Sequence, residues 1–279
     1  MLLARTVPEL RAAVEAARAA GKAVGLVPTM GCLHEGHLSL VDLARSRAAF
    51  TVVSIFVNPT QFGPKEDFAR YPRPFEEDCR LCAARGVDVV FAPGADFYAA
   101  DASTWVEETA VSQGLCGEHR PGHFRGVATV VLKLLNAARA DVAVFGRKDL
   151  QQLAVIRRLV RDLDVPVEIL EAPTARDSDG LAMSSRNRYL SPAERAAALV
   201  IPAALAAAAS LARAGERDPA KVLAAARARL AAEPGLRLQY LELVDADTLR
   251  PAPAAEPGRA VLAVAAFAGA TRLIDNLAL

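Results

Sequence analysis

The sequence predicts an α/β protein, with a parallel sheet covered by helices over its first two thirds and a smaller α+β domain after it. Three observations carry this expectation. Short β-branched apolar runs alternate with longer amphipathic stretches as far as about residue 170, the pattern of βαβ units whose sheet is buried on both faces. After about Thr174 the alternation stops, and two alanine-rich stretches precede three consecutive strand-like runs. The composition, 53% hydrophobic and 23% charged over 279 residues, is that of a chain able to bury a large core.

The elements follow in order. Pro8–Ala20 reads as a helix and stops at Gly21, and Ala23–Val27 is a short apolar run suited to a buried strand. Gly36–Arg47 is amphipathic, and Thr51–Val57 is a β-branched strand closed by Asn58-Pro59. Pro74–Arg85 is helical, ends at Gly86 and leads into a strand over Asp88–Phe91. Helix Val127–Ala138, strand Val142–Phe145, helix Leu150–Leu163 and strand Val167–Leu170 continue the alternation. Ser191-Pro192 and Asp218-Pro219 each set a capping side chain before a proline at the first helical position. They start helices over Pro192–Ala214 and Pro219–Ala232. Strands over Leu236–Val244, Ala260–Ala266 and Thr271–Ile274 complete the chain. The expected domains are residues 1–175 and 176–279. Ligands of such sheets sit beyond the carboxyl ends of the strands.

The bulk properties exclude several classes. A formal net charge of +1 supplies no global field for nucleic acid, so any phosphate must be held by a local site. Met1–Pro8 lacks the apolar stretch of a signal peptide. The apolar run Ala196–Leu211 is mostly alanine with Pro202 inside it, a poor membrane span. The expected location is therefore cytoplasmic. Cys32, Cys79, Cys82 and Cys116 provide one C-x-x-C spacing on an expected helix and no second pair to complete a zinc site.

Four segments carry chemistry. In Pro28-Thr29-Met30-Gly31-Cys32-Leu33-His34-Glu35-Gly36-His37, a strand runs into a helix whose N-terminus offers N–H groups and a positive dipole. His34 and His37 are three residues apart and share a face, and Gly36 between them permits close approach of a bulky group. Two imidazole donors there suit a nucleotide phosphate whose charge grows in a transition state. The competing readings are metal ligation and two plain core histidines. A zinc protease needs H-E-x-x-H, and H-E-G-H is one residue short. Gly146-Arg147-Lys148-Asp149, followed by Gln151 and Gln152, offers a mobile cation and a hydroxyl acceptor at a strand end; a solvated helix start is the alternative. Met183-Ser184-Ser185-Arg186 could wrap a triphosphate, or be an ordinary polar loop. Asn58-Pro59-Thr60-Gln61-Phe62-Gly63 either presents Gln61 for recognition or is simply a turn.

Taken in order, five segments resemble the pantothenate synthetase family: P-T-M-G-x-L-H-x-G-H at 28–37, F-V-N-P-x-Q-F at 56–62, R-P-G-H-F-R-G-V at 120–127, F-G-x-K-D at 145–149 with Gln152, and D-G-L-A-M-S-S-R-N-x-Y-L at 179–190. The likeness covers roughly residues 23–190 and continues weakly to Thr271-Arg272-Leu273-Ile274-Asp275-Asn276. H-x-G-H alone would indicate only the wider nucleotidylyltransferase-like superfamily.

The resemblance implies a Rossmann-like N-terminal domain, a C-terminal lid domain, a homodimer, and a ligase that activates (R)-pantoate with ATP and joins it to β-alanine. By similarity, ATP is bound by Pro28, Met30, His34, Gly36, His37, Gly146, Lys148, Asp149, Met183, Ser184, Ser185 and Arg186. Among these, His34, His37, Lys148, Ser184, Ser185 and Arg186 carry the chemistry. Thr29, Met30, Gln61 and Gln152 bind pantoate. Mg²⁺ accompanies the ATP, with Asp78 of the Glu76-Glu77-Asp78 cluster as a ligand candidate and a solvated acidic helix start as its rival. The sequence departs from the family at Arg147, where Glu is usual, and at Cys32, a thiol beside the phosphate segment. Other outcomes stay open: a superfamily member that stops after adenylyl or cytidylyl transfer, a silent nucleotide-binding relative, or a zinc hydrolase.

Overall fold

The computed structural model describes residues 1–64 and 66–279. The chain divides into two units. Met1–Thr109, Arg120–Arg147 and Val155–Pro173 form the first, and Ala110–His119, Lys148–Ala154 and Thr174–Leu279 the second. In chain order, the first two thirds comprise β1 (Leu2–Ala4), α1 (Val7–Ala19), β2 (Val24–Thr29), α2 (Glu35–Arg47), β3 (Phe50–Ile55), α3 (Phe75–Ala84), β4 (Val89–Phe91), α4 (Leu115–His119), α5 (His123–Ala138), β5 (Val142–Gly146), α6 (Leu150–Asp162) and β6 (Glu168–Ala172).

The first unit is built on a six-stranded, all-parallel sheet in the order β1-β4-β3-β2-β5-β6. Every second residue of a strand faces the same way. Val27, Val53, Val90 and Val144 accordingly form one buried layer with Val41 and Ala44 of α2 and Cys82 of α3. On the other face α1 and α5 cover β2. This is the expected α/β architecture. The short edge strand β1 is the addition, because three residues, two of them exposed, carry no periodic signal.

The strand order reverses direction at β2, with β3 on one side and β5 on the other. Here the backbone chemistry opens a crevice. Ala23 O accepts from Phe50 N and Val24 O from Asp141 N, so odd-numbered backbone groups of β2 face β3 and even-numbered ones face β5. Pro28 falls on the β5 side and has no N–H to donate. The β2–β5 ladder is confined to Gly25↔Val142 and Leu26↔Ala143, whereas β2 stays paired with β3 as far as Thr29↔Ile55. The carboxyl ends of β2 and β5 are thus unlaced at the switch point, where sheets of this type take their ligands.

The second unit contains α7 (Pro192–Ala198), α8 (Val200–Arg213), α9 (Pro219–Ala231) and an antiparallel sheet β7-β8-β9 (Leu236–Asp245, Ala260–Ala268, Thr271–Ala278). The single helix expected over Pro192–Ala214 is two, broken at Leu199. Pro202 explains the break: it removes an N–H, and its ring collides with the carbonyl four residues earlier, that of Ala198. By length and composition Pro192–Arg213 could cross a membrane, but Ile201, Ala204, Leu205, Ala208 and Ala212 are buried with Leu262 and Val264 in one core. Helix α5 begins four residues before the expected Val127, since Gly122 at φ 78° turns the chain into it. Strand β9 runs past Ile274 to Ala278 and so includes Asp275 and Asn276.

Candidate active site

The loop after β2 is shaped by one carboxylate. Gly31, at φ 80°, turns the chain, and a Cβ there would lie 2.9 Å from Asp78 Oδ2 and 3.0 Å from Ile55 Cγ2. Asp78 comes from the first turn of α3 and is only 1% exposed. Its Oδ2 accepts from Cys32 N at 2.8 Å and its Oδ1 from Leu33 N at 2.7 Å. The reading of Asp78 as a solvated helix start is therefore corrected: the carboxylate is buried and both its oxygens accept from the loop backbone. The loop needs that anchor, because Cys32 sits at φ 53°, a left-handed conformation disfavoured for a side-chain residue. Cys32 is fully buried.

His34 is the N-cap of α2, at φ −139° and ψ 173°, so the helix starts where its imidazole stands. The His34 and His37 rings lie 4.1 Å apart between centroids, and His34 N donates to His37 Nδ1 at 3.3 Å. An Nδ1 that accepts leaves the ring proton of His37 on Nε2, an assignment that follows from the bonding pattern. His37 is thereby a donor through Nε2. The first-turn N–H groups of Glu35 and Gly36 have no acceptor within the helix. Together these give donors and a positive dipole to an anion, with Thr29 and Met30 on the same connection. Thr29 is fixed by Oγ1→Ser54 O at 2.7 Å and by Gly31 N→Thr29 Oγ1 at 3.1 Å.

Gln61 lies on a 3₁₀ turn, Pro59–Gln61, and a network orients it. It is 9% exposed and Asn58 is 1% exposed. Asn58 Nδ2 donates to Gln61 Oε1 at 3.0 Å and to Gly126 O at 3.2 Å. Gln61 Nε2 reaches Met30 Sδ at 3.3 Å, so two expected pantoate residues do meet. The Gln61 carbonyl accepts from His123 Nδ1 at 2.8 Å and Arg120 Nη2 at 3.3 Å. Arg120 also forks onto Glu66 at 2.7 and 2.6 Å and donates to His123 Nε2 at 2.9 Å. In this arrangement His123 Nδ1 faces the Gln61 carbonyl and Nε2 faces the Arg120 guanidinium. Burial raises the Glu66 pKa, but the hydrogen bonds and charge of Arg120 outweigh it and hold the carboxyl below its usual range. Asn58, Arg120 and His123 received no role from the sequence. The signal was available in His123, one of only four histidines.

The remaining expected residues divide between the units. Gly146 ends β5 in the first unit. Next to it, Arg147 pairs with Glu171 at 3.2 Å, and Arg157 meets the other Glu171 oxygen at 3.0 Å. The unusual cation at 147 is thus balanced locally by a half-exposed pair worth no more than about 1 kcal/mol.

In the second unit, Lys148 Nζ lies 3.9 Å from Asp149 Oδ1, and the Lys148 carbonyl accepts from Asn276 Nδ2 at 3.0 Å. Gln151 is structural: its side chain bonds Val111 O, Gln113 O, Gly114 O and Cys116 N. Gln152 is half-buried beside it.

Met183, Ser184, Ser185 and Arg186 follow a tight hairpin. Asp177 N donates to Leu181 O at 2.8 Å and Met183 N to Ala175 O at 2.9 Å, with Gly180 at φ 93° in the turn. Ser184 caps a 3₁₀ turn over Ser185–Tyr189 by accepting from Arg186 N. Among the described residues, no three His, Cys, Asp or Glu side chains come together to hold a metal ion.

A family model described as pantoate-beta-alanine ligase matches residues 2–278. The chain is 56% identical over 274 residues to pantothenate synthetase 1 of Bradyrhizobium diazoefficiens, covering 98% of this chain and 96% of that one. It resembles the crystal structure of pantothenate synthetase from Thermus thermophilus at a TM-score of 0.94 and 47% identity, covering 100% and 99% of the two chains. It also resembles a Francisella tularensis pantoate-beta-alanine ligase complexed with β-γ ATP and β-alanine, at a TM-score of 0.79 and 31% identity, covering 100% and 97%.

Proposed function

Because the chain belongs to the pantoate–β-alanine ligase family, we infer that it is a ligase that condenses (R)-pantoate with β-alanine, using ATP and forming AMP and pyrophosphate. The observation that carries this reading is the pair of imidazoles at the N-terminus of α2, beside the strand ends that Pro28 unlaces. In the first step a pantoate carboxylate oxygen bonds to the α-phosphorus and the bond to the pyrophosphate oxygen breaks. In the second, the β-alanine nitrogen bonds to the acyl carbon and loses a proton, and the bond from that carbon to the bridging phosphate oxygen breaks, so that AMP leaves with the oxygen and the bonding electron pair.

Neither step needs a protein nucleophile; both need charge stabilisation and positioning. His34 and His37 offer donors where the α-phosphoryl charge grows, and the Glu35 and Gly36 N–H groups add to them. Pro28, Met30 and Gly146 line the nucleotide's approach at the ends of β2 and β5. Lys148 and Arg186 contribute charge to the triphosphate, Ser184, Ser185 and the Met183 backbone contribute hydrogen bonds, and Asp149 accepts from the ribose. Gln61 and Gln152 hold pantoate, with Thr29 and Met30 beside it. Magnesium, when bound with the nucleotide, would supply charge to the phosphates and would need few protein ligands. The enzyme works as a cytoplasmic homodimer on small-molecule substrates.

The test is an AMP assay with ATP, Mg²⁺ and both acids. AMP and pantothenate should appear together, and pyrophosphate release should require pantoate. Absence of AMP with all substrates present rejects the reading. Replacing His37 with Ala should slow turnover by ~10²–10³, the usual effect of losing one such donor.

A further inference from the structure

Strand β9 presents Asp275 and Asn276 side by side, each 4% exposed. Adjacent strand residues point to opposite faces of a sheet. Asp275 shares its face with Leu273, which lies in the core formed with the helices. There it takes a fork from Arg176 at 2.7 and 3.0 Å, and Arg176 also donates to Gly180 O at 3.1 Å. Asp275 thereby pins β9 to the hairpin that leads into Ser184. Asn276 shares the opposite face with Arg272, which bonds Gln239 Oε1 at 2.8 Å and Cys116 Sγ at 3.3 Å. From that face Asn276 Nδ2 donates to the Lys148 carbonyl at 3.0 Å. The last strand thus grips the backbone of one expected phosphate ligand while its neighbouring residue is tied to the turn before the others.

Asn is a poor strand former, and burying an amide requires compensating bonds. Packing alone therefore does not account for its presence in the middle of β9. We propose that Asn276 is a positioning residue for the ligase reaction, setting the backbone of Lys148 so that its ammonium meets the nucleotide phosphates. The proposal rests on the reading of Lys148 as a phosphate contact. One neutral hydrogen bond contributes little to global stability, about a tenfold factor at most. A misplacement of about 1 Å at a charge-stabilising group can cost ~10² in rate. Activity is therefore expected to register the change before stability does.

The experiment is a double-mutant cycle on the full chain. Asn276→Asp keeps the shape but turns an oxygen toward the Lys148 carbonyl, and Asn276→Ala removes the contact. Each should lower kcat/KM for ATP by about tenfold or more, with KM for pantoate within about twofold; Tm should be nearly unchanged in Asn276→Ala and lower in Asn276→Asp, which buries a charge. In a Lys148→Ala background the same substitutions should cost less than about twofold, because there is no ammonium left to position. Costs that multiply undiminished in that background overturn the proposal while leaving the role of Lys148 intact. So does a parallel rise in both KM values with a fall in Tm in Asn276→Ala. Full activity of Lys148→Ala itself would instead overturn the reading of Lys148, and the proposal with it.

Discussion

Asp78 shows how much of the site one buried carboxylate controls. It accepts from two consecutive backbone N–H groups in the loop that ends at His34. Removing it leaves both donors unpaired in the interior, at about 1–3 kcal/mol each. Asp78→Ala should therefore lower unfolding free energy by about 2–6 kcal/mol and cut turnover further than the stability loss explains. Urea denaturation and steady-state kinetics measure the two effects, and a variant with full activity would show that the loop holds its shape without the anchor. The sequence could not distinguish this Asp from its neighbours Glu76 and Glu77. All three are acidic residues in the first turn of a helix, and only packing shows which one turns inward. His34 and His37 were legible because their spacing, the intervening Gly36 and the strand before them are local facts. Cys32 is a similar case in reverse: an expected site-side thiol is shut inside the loop, and burial likewise pushes the Cys82 thiol up to about 12.

At the scale of elements, α5 docks through a glycine. A Cβ on Gly126 would overlap the Thr60 carbonyl and stand 2.8 Å from Gln61 N, and both are backbone atoms that cannot rotate away. Gly126→Ala should push the helix and the Asn58–Gln61 turn apart at a cost of about 1–3 kcal/mol and raise KM for pantoate several-fold. Thermal melts and substrate titrations check this, and an unchanged KM would separate the turn from substrate binding. The strands and long helices were readable in sequence because apolar periodicity reports burial directly. Those missed lack that signal: β1 is too short, α4 has five residues, and the break at Leu199 comes from a proline three residues downstream. The role of 120–127 stayed hidden because Arg120 and His123 act on Gln61 from about sixty positions away in the chain.

Across the whole molecule, acid should weaken the fold in part through Glu66. Its folded pKa is depressed from an ordinary 4.5 by Arg120, against the opposing effect of burial. Its contribution is thus fully present above about pH 4.5 and is lost as pH falls through the lowered folded value. Glu66→Gln should be less stable than the parent at neutral pH, and the two should converge in acid. Melting curves from about pH 7 to pH 3 test this, and a gap that widens toward acid contradicts the sign.

The sequence by itself determined the α/β class, the order of nearly every element, the imidazole pair at the first βα turn and the family to which the chain belongs. These depend on periodicity, turn chemistry and short motifs, which are properties of neighbouring residues. Only the tertiary structure decided that Asp78 holds a loop, that Glu171 balances Arg147, that Arg120 and His123 set Gln61, and that Asn276 grips Lys148. Those partners lie 24 to 128 positions apart. Which of many chemically similar side chains meets a given backbone group depends on how the sheets and helices stack.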